Sequence, residues 1–346
     1  MCGRGTAAYR RHQQGSSRPG NGATVLTARE LTKRYGETTA VDTLTFDIHP
    51  GRVTGFLGPN GAGKSTTMRL LLGVDRPTSG KALVNGRPYA DLPWPAREVG
   101  ALLDAAAVPP GRSARAHLLA LARGGGIPQR RVPEVLDTVG LTEVARRRVG
   151  GFSLGMRQRL GIAGALLGDP GIVVLDEPVN GLDLDGVRWV RGLVRKLADE
   201  GRTVFVSSHL MSEVQLVADQ LVVVGGGRLV ADAPLPELIA AWSRTRVVVR
   251  TPDPDPLTAC LQRRSGPERP VTVEPGADGE LLVYGADPEE VGDTAHAAGA
   301  RVHTLYREEA SLERAYLDLT EAEVRYPAAS GKSGTAQGGA GQREGR

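Results

Sequence analysis

An α/β fold with a small α+β domain appended is predicted for this 346-residue chain by three observations. A glycine-rich loop lies between an apolar run, Val53-Thr54-Gly55-Phe56-Leu57, and a helical pattern, Thr67 to Leu72. Two more apolar runs, Ile172 to Leu175 and Val204 to Val206, end in polar residues, as buried parallel strands do at a C-terminal sheet edge. From Arg244 onward the pattern reads strand, helix, strand, strand, helix, strand, which is the order of a ferredoxin-like plait.

The first of these observations organises the chain. In Gly58-Pro59-Asn60-Gly61-Ala62-Gly63-Lys64-Ser65-Thr66 the glycines let the backbone curl with its N–H groups pointing inward. The helix that follows brings its positive end to the same spot. Strand, glycine loop and helix together form a nucleotide phosphate cradle, in which Lys64 reaches the β- and γ-phosphates and the Ser65 hydroxyl ligates Mg²⁺. A plain glycine turn would need neither the strand before it nor the helix after it.

Composition narrows the class. Forty per cent apolar and 24% charged residues suit a globular protein. Arg4, Arg10, Arg11 and Arg18 lie in a tail without acids, and they account for the whole net charge of +4. The rest of the chain is balanced, which speaks against a nucleic-acid surface. Cys2 and Cys260 lie far apart and have no metal-ligand spacing, so a reducing compartment without disulfides is expected. No run of about 18 apolar residues is present to span a membrane, and no apolar core follows the N-terminal arginines to make a secretory signal.

In chain order, residues 1–22 are polar and are expected to be disordered. Val25 to Arg34 and Ala40 to Ile48 read as strands, the second with clean alternation of Val41, Leu44, Phe46 and Ile48. Tyr35 follows the first strand, as ordinary packing or as a platform for a base. Gly80 to Gly86 reads as a strand and turn. Residues 87–150 change character, with helical patches near 113–122, 129–139 and 142–148 punctuated by prolines; they are expected to form a helical insertion. Ser153 is placed to cap a helix running to about Leu167, and Asp183-Leu184-Asp185 to start another. Leu221 to Val224 and Arg228 to Ala231 form a hairpin, followed by a short helix over 234–242. The plait elements are expected at 246–250, 256–264, 271–274, 280–284, 288–298, 301–306 and, as a last helix, 310–319. The expected domains are therefore a disordered tail (1–22), a nucleotide-binding domain (23–240) with a helical subdomain at about 87–155, an accessory domain (244–322), and a second disordered tail (327–346).

The polar strand ends carry the chemistry. Asp176 and Glu177 follow four apolar residues, where two unpaired acids would be costly without a cation nearby. Beside a phosphate loop, Asp176 is suited to hold Mg²⁺ and Glu177 to act as general base on the attacking water. His209 ends the next buried strand; it is either a satisfied histidine or, at the same sheet edge, a donor to the γ-phosphate. Ser153-Leu154-Gly155 is either a simple N-cap or a second anion site. A helix start there cannot easily serve the phosphate already held by residues 58–66, so it would act on a nucleotide held by another subunit.

These motifs, in this order over residues 24–232, resemble the ATP-binding subunit of an ABC transporter. The resemblance implies that Gly58 to Thr66 are the Walker A loop, Ile172 to Asp176 are Walker B, and Glu177 is the catalytic base. Phe152 to Met156 become the signature sequence, Asn180-Gly181-Leu182-Asp183 the D-loop, and His209 the switch histidine. Tyr35 falls where the family stacks an aromatic ring on adenine. The chain departs from the family at Leu154 and Met156, which replace a glycine and a glutamine, and at Asp104, which follows Val99 to Leu103 where a Q-loop glutamine is usual. These departures, and Ala310 to Tyr316 in the accessory domain, are similar to the daunorubicin- and bacitracin-resistance subgroup of exporters. The resemblance implies ATP and Mg²⁺ as cofactors, with Asp104 able to approach the metal. It implies a homodimer that handles no nucleic acid and docks, through the helical insertion, on a separately encoded permease at the cytoplasmic face of the membrane. The cargo would be a drug, antibiotic or peptide. The alternative is a soluble ATP-dependent switch acting on ribosomes or DNA, although its relatives usually carry two nucleotide domains or long coiled coils.

Overall fold

The computed structural model describes residues 25–242, 245–266, 269–276 and 279–308. The chain divides into two compact units, one ending at Leu238 and the other starting at Ile239. The expected tails (1–22 and 327–346), the helix at 310–319 and Ala310 to Tyr316 all lie outside the described residues.

The first unit is built on two sheets. Strands β1 (Leu26–Tyr35), β2 (Thr38–Ile48) and β4 (Ser79–Val84) form an antiparallel sheet in the order β2-β1-β4. Strands β3 (Val53–Leu57), β5 (Val99–Leu102), β6 (Ile172–Leu175), β7 (Thr203–Ser208), β8 (Gln220–Gly225) and β9 (Arg228–Pro234) form the second, ordered β5-β6-β7-β3-β8-β9. All its neighbours run parallel except the β8–β9 hairpin. Both β3 and β6 are buried along their whole length, which is why they read as unbroken apolar runs instead of alternating ones. The two sheets meet at Phe46, Phe56 and Phe205, whose ring centroids lie 5.1–6.0 Å apart. Burying a phenylalanine side chain contributes about 2–3 kcal/mol.

The helices are α1 (Lys64–Leu71), α2 (Pro95–Glu98), α3 (Ala114–Gly124), α4 (Arg131–Thr138), α5 (Leu154–Leu166), α6 (Leu184–Asp199), α7 (Met211–Gln215) and α8 (Leu235–Trp242). Two features of the expected helical insertion differ. Residues 99–102 are a strand, β5, at the edge of the parallel sheet beside β6. Only glycine fits at Gly100, because a Cβ there would collide with the backbone of Ala165; that glycine also hides the strand from a reading of apolar pattern. Residues 142–148 are turns, not helix. Their carbonyls are used elsewhere: Arg115 N donates to Ala145 O at 2.8 Å and Ala114 N to Arg147 O at 3.4 Å.

The second unit is the plait. Strands β10 (Arg246–Arg250), β11 (Thr272–Pro275), β12 (Glu280–Tyr284) and β13 (Thr304–Glu308) form an antiparallel sheet in the order β11-β12-β10-β13. Helices α9 (Pro254–Arg263) and α10 (Pro288–Ala297) bring Leu257, Leu261, Val291 and Ala295 against Val247, Val249 and Val283. The last strand begins three residues later than expected. Arg301 is held in the preceding loop by Asp253, at 2.9 Å, and its carbonyl accepts from Thr251 Oγ1 at 2.6 Å.

Candidate active site

The glycine loop leaves the buried end of β3 and runs into α1 with Gly61 at φ +82° and Gly63 at +93°, conformations that L side chains avoid. Packing adds a second restriction. A Cβ on Gly58 would meet the Val224 carbonyl, and one on Gly63 the Ala40 carbonyl. Lys64, 6% exposed, donates from Nζ to Gly58 O at 2.8 Å and to Pro59 O at 3.3 Å, so the loop holds its own cation.

Strands β6 and β7 deliver the acids and the histidine to this loop. Lys64 Nζ stands 3.4 Å from Glu177 Oε1 in an ion pair that lacks hydrogen-bond geometry, so this buried oxygen has no hydrogen-bond partner. Glu177 Oε2 lies 2.8 Å from His209 Nδ1. With the carboxylate ionised, the imidazole is the donor. Asp176, buried one residue earlier, accepts from Ser207 Oγ at 2.5 Å. The same Ser207 oxygen accepts from the Glu177 backbone N–H at 2.9 Å. Glu177 itself sits at φ +47° and its carbonyl accepts from Gln158 Nε2 of α5 at 3.1 Å.

A cavity of about 580 Å³ opens over the loop, and Tyr35, Asn60, Lys64, Glu177, Asn180 and His209 are among its lining residues. Ser65 and Thr66 line it at the start of α1. Tyr35 is half exposed at its mouth, with its hydroxyl donating to Asp75 Oδ2 at 2.9 Å. Arg69 also binds Asp75, and it is the largest influence holding that carboxyl down to about 2, with the Tyr35 hydroxyl next. Desolvation first, then the Asp75 carboxylate, raises the Tyr35 hydroxyl.

The predicted residues therefore fall into three groups. Tyr35, the loop from Gly58 to Thr66, Glu177 and His209 come together, and Asp176 is buried next to Glu177 on the Ser207 hydroxyl. Ser153 and Gly155 do not line this cavity. Ser153 caps α5, its Oγ accepting from Met156 N at 3.2 Å, and Gly155 faces Leu182. Asp104 is exposed and lines a different cavity, of about 960 Å³, together with Trp94, His117 and Leu121. It is not among the residues that line the cavity over the phosphate loop. Ser207 and Gln158 were missed by the sequence reading. The first was signalled by its place two residues before His209, the second by its position one turn into the helix that Ser153 caps; neither signal says what the side chain touches.

A family model described as ABC transporter matches residues 41–180, and a second, described as a domain of unknown function, matches residues 245–313. The bacitracin transport ATP-binding protein BcrA of Bacillus licheniformis is 40% identical over 219 residues, which is 62% of this chain and 72% of that protein. The Nod factor export ATP-binding protein I of Ralstonia nicotianae is 34% identical over 319 residues, 89% of this chain and 97% of that protein. Among solved structures, a dimeric bacterial ABC transporter cassette aligns with a TM-score of 0.56 and 25% identity, over 61% of this chain and 98% of that one.

Proposed function

The chain belongs to the ABC transporter ATP-binding proteins, and from that premise we propose that it hydrolyses ATP to drive export of an antibiotic, drug or peptide through a separate membrane permease. The observation that carries this reading is the convergence of Lys64, Glu177 and His209 over one glycine loop. The relative named for Nod factor export supports the export direction, and the one named for bacitracin transport supports an antibiotic or peptide cargo.

The residues fit Mg²⁺-bound ATP. The loop has no room for Cβ atoms at Gly58 or Gly63, Lys64 is buried with its charge against Glu177, and Glu177 Oε1 lacks a hydrogen-bond partner. Ser65 and Asp176 would hold Mg²⁺, which supplies charge neutralisation at the phosphates. Lys64 stabilises charge on the transferring phosphoryl group. Glu177 takes a proton from the attacking water, and His209 fixes the orientation of its carboxylate. Tyr35, anchored by Asp75, offers a ring face to adenine.

Two copies would share the work. The N-terminus of α5, with Ser153 and Gly155, would meet the nucleotide held by the partner subunit, and the dimeric relative supports this arrangement. Among the described residues no helix is long and apolar enough to cross a membrane, so a permease would carry the cargo and hold this subunit at the cytoplasmic face. The cavity lined by Asp104 and Leu121 would receive the permease.

The test is reconstitution in vesicles with a candidate permease. The parent chain is expected to drive ATP-dependent transport. Glu177→Gln should bind ATP equally well and lose turnover by about a hundredfold or more. Turnover at the parental rate in Glu177→Gln would remove the base; ATP hydrolysis without any transport would remove the exporter.

A further inference from the structure

Among the described residues, many arginines are answered by acids. Arg29 pairs with Asp47, Arg69 with Asp75, Arg131 with Glu134, Arg228 with Asp42, and Arg301 with Asp253. One cluster is not. The segment leading into α3 and the turns before α5 lie side by side, with Val149 N donating to Arg112 O at 2.9 Å, Arg115 N to Ala145 O at 2.8 Å, and a bridge pairing Ser113 with Arg148. This pairing gathers Arg112, Arg115, Arg146, Arg147 and Arg148 on two adjacent backbones. All five are exposed. Among the described residues, none of their guanidinium groups makes an ion pair or hydrogen bond. The one acid within these segments, Glu143, is exposed and pairs with none of them.

We propose that these five arginines form a docking surface for anionic phospholipid headgroups, one that presses the subunit onto the membrane independently of its permease; this rests on the export reading above. Guanidinium groups match phosphate oxygens in a bidentate manner and shed water more readily than ammonium groups. None of the five lines the cavity over the phosphate loop or the one beside Asp104. An array of like charges on an open surface fits a sheet of phosphates, where each arginine near an anionic leaflet adds to the attraction. His117, on the same helix as Arg115, is held below the usual histidine range by burial first and by Arg112 second, so the positive field extends to that neighbour.

The test is flotation of the full chain with vesicles of phosphatidylcholine alone or with 30% phosphatidylglycerol, chosen as roughly the anionic fraction that gives a strong surface potential. Binding is expected only to the anionic vesicles and should fall steeply between about 0.1 and 0.5 M salt. Replacing Arg146, Arg147 and Arg148 by alanine should weaken it on the order of a hundredfold. Replacing the same three by lysine should weaken it less than alanine does, because the charge stays and only the bidentate contacts are lost. Because the N-terminal tail is also basic, a chain with Arg4, Arg10, Arg11 and Arg18 changed to alanine is run beside them and should keep at least half of the affinity. ATPase activity without permease should be unchanged in all variants, which checks the fold and keeps this result separate from the exporter reading. Equal binding to both vesicle types, loss only in the tail variant, or tighter binding to a short DNA duplex than to the anionic vesicles would each overturn the proposal.

Discussion

At Glu177 the backbone adopts φ +47°, a conformation that costs a non-glycine residue about 1–3 kcal/mol and persists only where the surroundings enforce it. Two side chains do so here. Ser207 holds its N–H and Gln158 holds its carbonyl, so the carboxylate projects toward Lys64 and His209 with both flanking backbone groups tied. Ser207 also binds Asp176 and thereby sets the two acids relative to each other. The Gln158 hydrogen bond reaches the site through the Glu177 carbonyl, which also accepts from Asn180 N at 3.1 Å, so its role is positioning. Gln158→Ala should lower kcat roughly tenfold while leaving ATP affinity within about twofold, since the loop itself is untouched. Steady-state kinetics with a separate nucleotide-binding measurement separates the two; a loss of affinity equal to the loss of kcat would mean that the whole site had loosened.

At the scale of elements, α5 braces the loop that follows Glu177 at two points. One is the Gln158 hydrogen bond. The other is Leu154, whose side chain lies where a Cβ on Gly181 would be, while Gly181 takes φ +71°. The leucine that departs from the usual glycine of the signature thus packs on the D-loop of its own chain. Gly181→Ala should be destabilising by about 1–3 kcal/mol, from the left-handed backbone and the clash together. That corresponds to a fall in thermal midpoint of several degrees. Gly192→Ala in the middle of α6 is the comparison. That glycine has nothing within 4 Å of an added Cβ and no positive φ, so alanine there should stabilise by roughly 0.5–1 kcal/mol. Equal midpoints for the two variants would show that the Leu154 contact does not constrain the D-loop.

For the whole molecule, the capped start of α5 and the phosphate loop are separate surfaces of one chain, and Ser153 does not line the loop's cavity. A dimer in which each α5 meets the other subunit's nucleotide uses both surfaces at once. Subunits carrying Lys64→Ala should be inactive, and so should those carrying Ser153→Arg. Mixed together, they should recover up to one working site per heterodimer. Titrating one inactive protein into the other, with dimerisation followed by light scattering, measures this. Absence of activity at every ratio, with heterodimers present, would separate Ser153 from the nucleotide.

Much of this was readable in the linear chain, because its causes are local. The glycine loop, the strand before it and the helix after it are consecutive, and so are the four apolar residues that deliver Asp176 and Glu177. The plait could be read from the order of its short apolar segments, two of which, Val247 to Val249 and Leu281 to Val283, are consecutive apolar residues buried throughout. What the chain alone did not reveal depends on contacts across long separations. Strand β5 exists because Gly100 can approach Ala165 and because β6 offers an edge. The 142–148 segment looked helical by composition, yet it turns because residues 112–115 take its backbone groups. Asp104 stands where a glutamine is usual, and only the course of the chain after β5 puts it in the cavity beside Trp94. Sequence order determined which chemical groups are present and on which kind of element. Tertiary packing decided which of them meet, because a hydrogen bond such as Gln158 to Glu177 depends on position to within a few tenths of an ångström, and no residue-type pattern carries that information.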